Sequence, residues 1–480
     1  MPRVNSHIEA LFLCGISILA AVYTVLDSAR GDLGGKGQFQ LSFVPGSLDS
    51  SGRFMGGTEL RVLTTHGGKL YAGNGYWEDR PGAEGLQGAQ ILVLDGSGAQ
   101  WRVDHTFDER MPNGRPRNLA ISALSEVSFA TDSTGARVPR PVSLLIASTW
   151  DLTGTTRVFS RDDATGAWAA TTLAQDRTAP DFLPQVRSFG AHRDRQTGIE
   201  SVFAGQDPRG VFSGVYDAMV TGRIRWGSAP ELDLSGISTS AFPGLAGRLR
   251  VSSFAECNGR LYAAVGQQIY ERIDGPEPHW RLLYTNPHPG RSETGLRGLT
   301  SIPSPSGTGE VLLAAVEGDA ARVVRVDPKD GSEATDLDLV AFLSNAWQMR
   351  AGYVIGAYND MTKVRDPQRG DLVLMGLEAF IPQRSPTPSG PSVVDVGYGR
   401  LDAGAWYLVR YPGGRYDLRE ITASPNMGQA LVATRSIRVS PFPSDTGTLY
   451  FAGYDANKAP AHNTAWIFRA SFATALDVSR

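Results

Sequence analysis

Short segments of alternating apolar and polar residues, separated by turns rich in Gly, Asp and Asn, recur along most of the chain. The recurring unit begins with an apolar residue and Arg, continues as an alternating segment to a Gly-bearing turn, and ends on an apolar segment with small residues. Its second half reads GGKLYAGN (67–74), PVSLLIAST (141–149), GIESVFAGQ (198–206), NGRLYAAV (258–265), GTGEVLLAAV (307–316), GDLVLMGLEA (370–379) and DTGTLYFAGY (445–454). Alternation with a period of two, bounded by turn residues, predicts paired β-strands.

Most of these predicted strand pairs are followed by the pattern of a second hairpin. In it, an apolar segment leads to an Asp or Gly turn, and the returning segment carries an aromatic residue. The examples are ILVLDGSGAQWRV (91–103), RVFSRDDATGAWAA (157–170), QIYERIDGPEPHWRLL (268–283) and YLVRYPGGRYDLREI (407–421). Asp and Gly supply the local hydrogen bond or the positive φ that a tight hairpin needs. Each unit is therefore predicted to be a four-stranded antiparallel blade.

The spacing of the units predicts an all-β fold, a β-propeller of seven blades, with six and eight as the alternatives. The last unit shows only three strands, whereas GQFQLSFV (37–44) alternates as a strand and precedes the first blade. We expect this segment to complete the final blade, which would close the ring and remove an exposed sheet edge.

The unit of Arg, an apolar strand and Gly-x-Leu-Tyr-Ala resembles that of bacterial extracytoplasmic propellers, which are related in shape to the kelch and WD-repeat superfamilies. The resemblance covers about residues 57–472. It implies the architecture and not the chemistry, because such propellers serve as enzymes, lectins and scaffolds. The Asp-box pattern of sialidase-like propellers is only approximated, by Ser160, Asp162, Gly166 and Trp168.

The N-terminus carries an apolar run, residues 10–26, preceded by Arg3 and followed by Asp27. Its length lies between that of a signal peptide and that of a membrane anchor, so both alternatives stay open. We therefore divide the chain into an export segment (1–30), a lead-in (31–56) that contains the closure strand, and the propeller (57–480). The expected location is extracytoplasmic, either periplasmic or secreted, with membrane contact only through residues 10–26 if they are retained.

A net charge of -3 provides no basic field for a phosphate backbone, which argues against nucleic acid as a partner. Cys257 is the only cysteine besides Cys14, which lies in the export segment, so packing rather than a disulfide must stabilise the propeller. The histidines fall at different points of the repeat, and no zinc-ligand spacing is present. No cofactor is predicted, although Ca²⁺ held by oxygens from separate loops would leave no linear signature.

The repeated arginines start the innermost strands, so their side chains should converge on one face of the ring. They are Arg61, Arg117, Arg187, Arg250, Arg297, Arg350 and Arg438. One interpretation is that each arginine reaches a carboxylate or a carbonyl oxygen in its own or the neighbouring blade and so ties blades together. The other is that the guanidinium groups form a funnel for an anionic ligand such as a carboxylate, sulfate, phosphate or acidic sugar.

Loops between the second and third strands should reach the same face. They carry aromatic and polar candidates for ligand binding: Trp77, Trp150, Tyr454 and Asp455. The sixth unit is the least regular, and its Tyr358, Asn359 and Asp360 are either ligands or ordinary turn residues. Its Pro-rich insertion (381–404) is predicted to cover this face as a lid.

Two functions fit these residues. The first is binding of an anionic or saccharide ligand, or of an extracytoplasmic protein, on the loop face. The second is an extracytoplasmic hydrolase or lyase that uses loop carboxylates, with a divalent cation as an option. The carboxylates proposed for it are Asp151, Asp207, Glu317 and Asp319. A purely structural scaffold is the third alternative.

Overall fold

The computed structural model describes residues 38–476 except 77–86, 177–183, 238–248, 290–294, 359, 382–393, 396–400, 403, 422–430 and 456–462. Only the backbone is described at 394–395, 401–402 and Asp455. The chain divides after Gln38, and the unit that follows, Phe39–Arg480, is the one described here. The predicted export segment and Trp77 and Asn359 lie outside the described residues.

The strands begin with three short ones, β1 (Gln40–Phe43), β2 (Ser47–Leu48) and β3 (Phe54–Met55), and continue as antiparallel meanders. The first meander is β4 (Glu59–His66), β5 (Lys69–Gly75), β6 (Gln90–Leu94) and β7 (Arg102–Thr106). The second is β8 (Asn118–Thr131), β9 (Arg137–Asp151), β10 (Thr155–Arg161) and β11 (Trp168–Gln175). The third is β12 (Gln185–Arg193), β13 (Glu200–Asp207), β14 (Gly210–Tyr216) and β15 (Ile224–Trp226), with β16 (Leu232–Asp233) also paired to β14.

The next two meanders are regular. They are β17 (Val251–Cys257), β18 (Arg260–Val265), β19 (Gln268–Ile273) and β20 (His279–Thr285), then β21 (Leu296–Pro303), β22 (Glu310–Val316), β23 (Arg322–Val326) and β24 (Glu333–Asp338). Helix α1 (Leu339–Trp347) follows, and then β25 (Val354–Gly356), β26 (Thr362–Asp366), β27 (Gly370–Ile381), β28 (Val394–Asp395), β29 (Leu401–Asp402), β30 (Trp406–Arg410) and β31 (Tyr416–Glu420). The last described elements are β32 (Leu431–Val439), β33 (Thr448–Asp455), β34 (Ala465–Ser471) and α2 (Phe472–Ala475). Short 3₁₀ turns occupy Thr221–Arg223, Pro412–Gly414 and Pro443–Asp445.

Strands β4, β8, β12, β17 and β21 contact one another in this order, β21 contacts β25, β26 contacts β32, and β32 returns to β4. We call β4, β8, β12, β17, β21, β26 and β32 the innermost strands. The Thr464 hydroxyl donates to the carbonyl oxygen of Thr58 at 3.0 Å across this junction. The arrangement is a ring of antiparallel sheets around an axis, and the predicted all-β propeller architecture is confirmed.

Strand β1 pairs antiparallel with β34, which places Gln40 opposite Arg469 and Phe43 opposite Ile467. This is the pairing expected for segment 37–44. It brings four strands into the last sheet, in the order β1, β34, β33, β32. Phe43 is buried against residues of the first meander, including Leu60 and Leu92. The N-terminal strand therefore joins the beginning and the end of the ring.

Two features differ from the sequence prediction. In the described residues the strands form six sheets of four or more strands rather than seven, because Gly75 of β5 also pairs with Ala120 of β8 and merges two meanders into one sheet. Helix α1 is the second difference, because the sequence pattern predicted only strands. It is capped by the Asp338 carboxylate, which accepts from the Ala341 amide at 2.9 Å, and it buries Leu343 and Trp347.

The core lies between neighbouring sheets, where buried strand faces pack against each other. One cluster joins Val316 and Leu312 of β22 to Tyr262 of β18. A second, larger cluster holds α1 against β22, β23 and β27. In the described residues no helix is long and apolar enough to cross a membrane.

Candidate functional site

A β-bulge interrupts the pairing of the innermost strands near their beginning. In β4 the partners pass from Leu60–Asn74 to Val62–Gly73, so that Arg61 has no partner in the neighbouring strand. The same one-residue irregularity occurs in five other innermost strands. The residues at the bulge are Arg61, Ser122, Arg187, Ser252, Arg297 and Arg435. A bulge bends its strand and redirects the side chain of the extra residue, so it gives this position a conserved geometry from sheet to sheet.

The sixth meander replaces the bulge by a longer excursion. Strand β25 pairs with β27 up to Gly356, and β26 resumes the pairing with β27 at Thr362. Tyr358 and Asp360 lie in this excursion. The Tyr358 ring lies under two guanidinium groups, with the Arg297 carbon at 4.5 Å and the Arg435 carbon at 3.5 Å from the ring centroid. These three residues come from three successive meanders.

The register corrects the predicted arginine set. Arg61, Arg187 and Arg297 occupy the bulge, whereas Arg250 lies two residues before it. Strand β32 has two such irregularities, at Val432 and at Arg435, and Arg438 comes three residues after the second. Arg117 directly precedes β8, and Arg350 is exposed after α1 instead of lying on an innermost strand. Residues 434–439, TRSIRV, contain both Arg435 and Arg438. The pairing of β32 with β33, which the spacing of the sequence does not reveal, shows that Arg435 is the one at a bulge.

Six of the predicted arginines lie near a carboxylate of the described residues. Within one meander, the Nε atom of Arg61 is 3.4 Å from Glu59, and that of Arg117 is 2.9 Å from Asp151. Arg187 pairs with Asp207, and Arg438 pairs with Asp360. Arg297 and Arg250 share Glu317, at 3.0 and 3.7 Å, which links β17 to β21. Of these ion pairs, Arg250–Glu317 and Arg438–Asp360 connect different meanders, whereas the others lie within one meander.

Arg435 is nearly buried and connects three meanders. Its Nη1 atom is 2.9 Å from Glu378 of β27, at an angle outside hydrogen-bond geometry, and its Nη2 atom is 3.6 Å from Glu59 of β4. Burial opposes the charge of Arg435, but the neighbouring Glu378 and Tyr358 raise the pKa of its guanidinium well above its usual range. Neither Arg435 nor Glu378 was predicted from the sequence as a site residue.

The carboxylates proposed for catalysis occupy different environments. Asp151 is buried, and it accepts from the Thr153 amide at 2.9 Å in addition to pairing with Arg117. Burial raises the pKa of Asp207, against the influence of Arg187. Glu317 is buried between two arginines, whereas Asp319 is exposed in the turn after β22. Asp151, Asp207 and Glu317 are therefore engaged in ion pairs.

Two of the aromatic candidates are buried. Trp150 is 4% exposed and packs with Tyr76 and Leu119, so it does not offer a stacking surface. Tyr454 is 9% exposed, and its hydroxyl donates to Glu378 at 3.0 Å. The Asp455 side chain, like Trp77 and Asn359, lies outside the described part of the structure.

A pocket of about 430 Å³ lies between the innermost strands, and we call it the axial pocket. Its lining includes five predicted residues: Arg61, Arg187, Tyr358, Asp360 and Arg438. It also includes residues that were not predicted from the sequence, among them Glu256, Lys363, Phe189 and Phe254. Hydroxyl side chains make up a further part of the wall: Ser122, Ser125, Ser188, Ser253, Thr300, Ser301 and Ser436.

Three of these serines directly follow the bulge, and each bridges neighbouring innermost strands. Ser188 donates to the carbonyl oxygen of Val251 at 2.9 Å, while Ser253 accepts from the Leu299 amide at 3.2 Å. Ser436 accepts from the Leu63 amide at 3.1 Å. The sequence does carry a signal for these residues, because a serine follows the bulge position in three of the repeats.

The ionic groups of the axial pocket are mixed in sign. Arg61, Arg187, Lys363 and Arg438 line it together with Glu256 and Asp360. Lys363 donates to the Ser301 hydroxyl at 2.9 Å, and Ser301 donates to Glu310 at 3.1 Å. Such a lining can form hydrogen bonds with a polyhydroxylated molecule and can pair with an acidic substituent.

The described residues contain no group of three or more His, Cys, Asp and Glu side chains with the geometry of a metal site.

No protein-family model and no curated protein matches this sequence. Among solved structures, a Trypanosoma rangeli sialidase aligns over 91% of this chain and 60% of its own, with 12% identity and a TM-score of 0.41. The Dos1 propeller aligns over 90% of this chain and 83% of its own, with 12% identity and a TM-score of 0.40. At these values the similarity carries no argument about function.

Proposed function

We propose that this chain is an extracytoplasmic ligand-binding propeller that holds a small saccharide or a carboxylated relative in the axial pocket. The composition of the pocket wall carries this proposal. Seven hydroxyl side chains, together with Tyr358, Phe189 and Phe254, surround a volume that lies within the range of small-molecule sites. Aromatic faces and hydroxyl or ionic groups together suit the apolar faces and the hydroxyl edges of a sugar.

The carboxylates next to the pocket arginines indicate which class of ligand the pocket would bind. Arg61, Arg187 and Arg438 each have a carboxylate neighbour, so they do not form the purely cationic funnel that one interpretation of the sequence predicted. Paired groups of both signs favour hydroxyl groups as partners, because these both donate and accept. Lys363, which contacts the Ser301 hydroxyl, is the group best suited to an acidic substituent.

The test is calorimetry on the purified full-length chain with galactose, N-acetylglucosamine, glucuronate and inorganic sulfate. We expect at least one of the sugars to bind with a Kd below about 1 mM. Ser125→Trp should abolish this binding by filling the pocket, whereas Ser128→Trp, on the same strand and outside the lining, should not. Absence of binding by the unmodified chain, or unchanged binding by Ser125→Trp, contradicts the proposal.

The alternative is a hydrolase or lyase that uses Asp151, Asp207, Glu317 or Asp319, with Ca²⁺ as a possible aid. The ion pairs of Asp151, Asp207 and Glu317 favour the binding function. Release of reducing ends from oligosaccharides, lost in Asp207→Asn, would instead support the enzyme. A protein partner on the loop face is the third outcome, detected as binding that Ser125→Trp leaves unchanged.

We also propose seven blades. The eight-stranded sheet is then two blades, β4–β7 and β8–β11, because the residue pair Gly75–Ala120 accounts for the pairing between β5 and β8. The contacts of the innermost strands support the same division, since each meander contributes one strand to the axis. A projection of the particle along its axis by electron microscopy would count the blades, and six or eight would contradict this proposal.

The location remains a proposal as well, because the export segment lies outside the described residues. We expect residues 1–30 to direct the propeller out of the cytoplasm. A fusion of these residues to alkaline phosphatase, which is active only after export, tests this expectation. Activity retained in the membrane fraction would indicate an anchor, activity in the soluble fraction would indicate cleavage, and an inactive fusion would contradict export.

A further inference from the structure

Two histidines lie between carboxylates of the next meander. Nδ1 of His66, at the end of β4, is 2.8 Å from Glu126, and its Nε2 is 2.8 Å from Asp163. Nδ1 of His192, near the end of β12, is 2.5 Å from Glu256, and its Nε2 lies 3.0 Å from Asp274. The side chains of the two histidines are only 3% and 2% exposed.

The two arrangements are copies of one design. In each, the glutamate comes from the innermost strand of the following meander, and the aspartate comes from the turn after the third strand of that meander. A neutral imidazole carries one N–H group, so only the doubly protonated ring can donate to both carboxylates. The histidine then holds its glutamate in one place by a charge-assisted hydrogen bond.

The copies differ in what their glutamate faces. Glu256 lines the axial pocket, and its side chain is 53% exposed. Glu126 is outside the lining of the axial pocket, to which its neighbour Ser125 contributes. Because Oε1 of Glu256 contacts His192, Oε2 is the oxygen left for a ligand.

The surroundings of His192 are built to keep its second carboxylate fixed. Asp274 accepts from Arg272 at 2.7 Å and from the Arg195 amide at 3.1 Å. Arg272 also donates to Asp194 at 3.1 Å. Burial opposes ionisation of Asp194, but the backbone amides of Thr197 and Gly275 and the Arg272 guanidinium lower its pKa to about 2. Glu256 and Asp274 thus contact the imidazole directly, and Arg272 connects Asp274 to Asp194 and Glu231.

We propose that Glu256 is a ligand-contacting residue of the axial pocket, an acceptor for sugar hydroxyl groups, and that His192 and Asp274 are its positioning residues. This inference rests on the proposed binding function. A fixed carboxylate discriminates between ligands because it accepts hydrogen bonds and donates none when ionised. It favours neutral or amino sugars, and it disfavours an acidic substituent placed next to it.

Calorimetry with galactose and N-acetylglucosamine on full-length variants tests this role. Glu256→Gln should weaken the binding of the sugar that the unmodified chain binds by at least about tenfold, which corresponds to 1.4 kcal/mol. Glu126→Gln is the matched control, because it alters the other copy of the same design outside the pocket, and it should leave the affinity unchanged. Both variants should unfold at similar temperatures.

His192→Asn tests the positioning role. We expect His192→Asn to weaken the binding of the sugar in the unmodified chain but to cause no further loss in the Glu256→Gln background, because the imidazole acts only through that carboxylate. Equal affinities of Glu256→Gln and Glu126→Gln would overturn this inference alone and leave the binding function standing. Failure of the unmodified chain to bind any sugar would overturn both.

Discussion

The guanidinium carbon of Arg435 lies 3.5 Å from the centroid of the Tyr358 ring, and this contact joins β32 to the excursion between β25 and β26. Arg435 also lies near Glu378 and Glu59, so one side chain links the last meander to both of its neighbours. Cation–π contacts are strongest where water is excluded, as it is around this 3% exposed arginine.

We expect Arg435 to contribute more to the stability of the ring than Arg438 does. We expect Arg435→Gln to lower the free energy of unfolding by about 3–5 kcal/mol, because it leaves buried carboxylates without their cation. Arg438→Gln removes a partly exposed pair and should cost at most about 1 kcal/mol. Urea unfolding of both variants measures the difference, and equal losses would show that the register does not govern the role of these arginines.

Closure of the ring can be tested at β1. Phe43 is 1% exposed, and Phe43→Ala should lower the free energy of unfolding by about 3–5 kcal/mol through the cavity it leaves. The adjacent Val44 is 40% exposed, so Val44→Ala should change stability by less than about 0.5 kcal/mol. Thermal unfolding with unchanged stability for both variants would mean that the N-terminal strand does not contribute to the ring.

At the junction between the first two meanders, we expect the addition of a single methyl group at Gly75 to lower the stability of the chain. A Cβ atom at Gly75 would collide with Cβ and Cα of Ala120, so Gly75→Ala should cost about 1–3 kcal/mol. Gly96 has open space around it, and Gly96→Ala should be neutral or stabilising by up to about 1 kcal/mol. Chemical denaturation of the two alanine variants checks this, and a tolerated Gly75→Ala would argue against the close approach.

Glu420 on β31 should make stability depend on pH. Burial raises the pKa of its carboxyl to about 7. An acid whose pKa is higher in the folded than in the unfolded chain loses stability as the pH rises from its ordinary value towards the folded value. Glu420→Gln should therefore stabilise the chain at pH 8, by about 1–2 kcal/mol after solvent screening is allowed for, and have little effect at pH 4. The same effect at both pH values would contradict this assignment.

The sequence repeats predicted much of the ring because hairpin turns and period-two alternation are local properties. GKLYAG and GTLYFAG mark strands β5 and β33, and the segment that includes Gln40–Phe43 marked the closing strand. Helix α1 escaped this reasoning, since its buried residues Leu339, Leu343 and Trp347 lie within one insertion that has no counterpart in the other units.

Fewer of the site residues could be predicted from the sequence. Arg61 and Arg187 were selected and do line the axial pocket, whereas Trp150 turned out to be buried. Glu256 carried no signal of its own in the chain, because its partner His192 lies 64 residues earlier. Only packing of consecutive meanders brings them together.

The sequence by itself thus determined the strands, their hairpins and the repeated approach of polar residues to one axis. Each of these follows from neighbours along the chain. The tertiary structure decided the register at the bulges, and with it the choice of Arg435 over Arg438. It also decided which polar groups face the axial pocket, since a one-residue irregularity reverses the direction of every side chain beyond it.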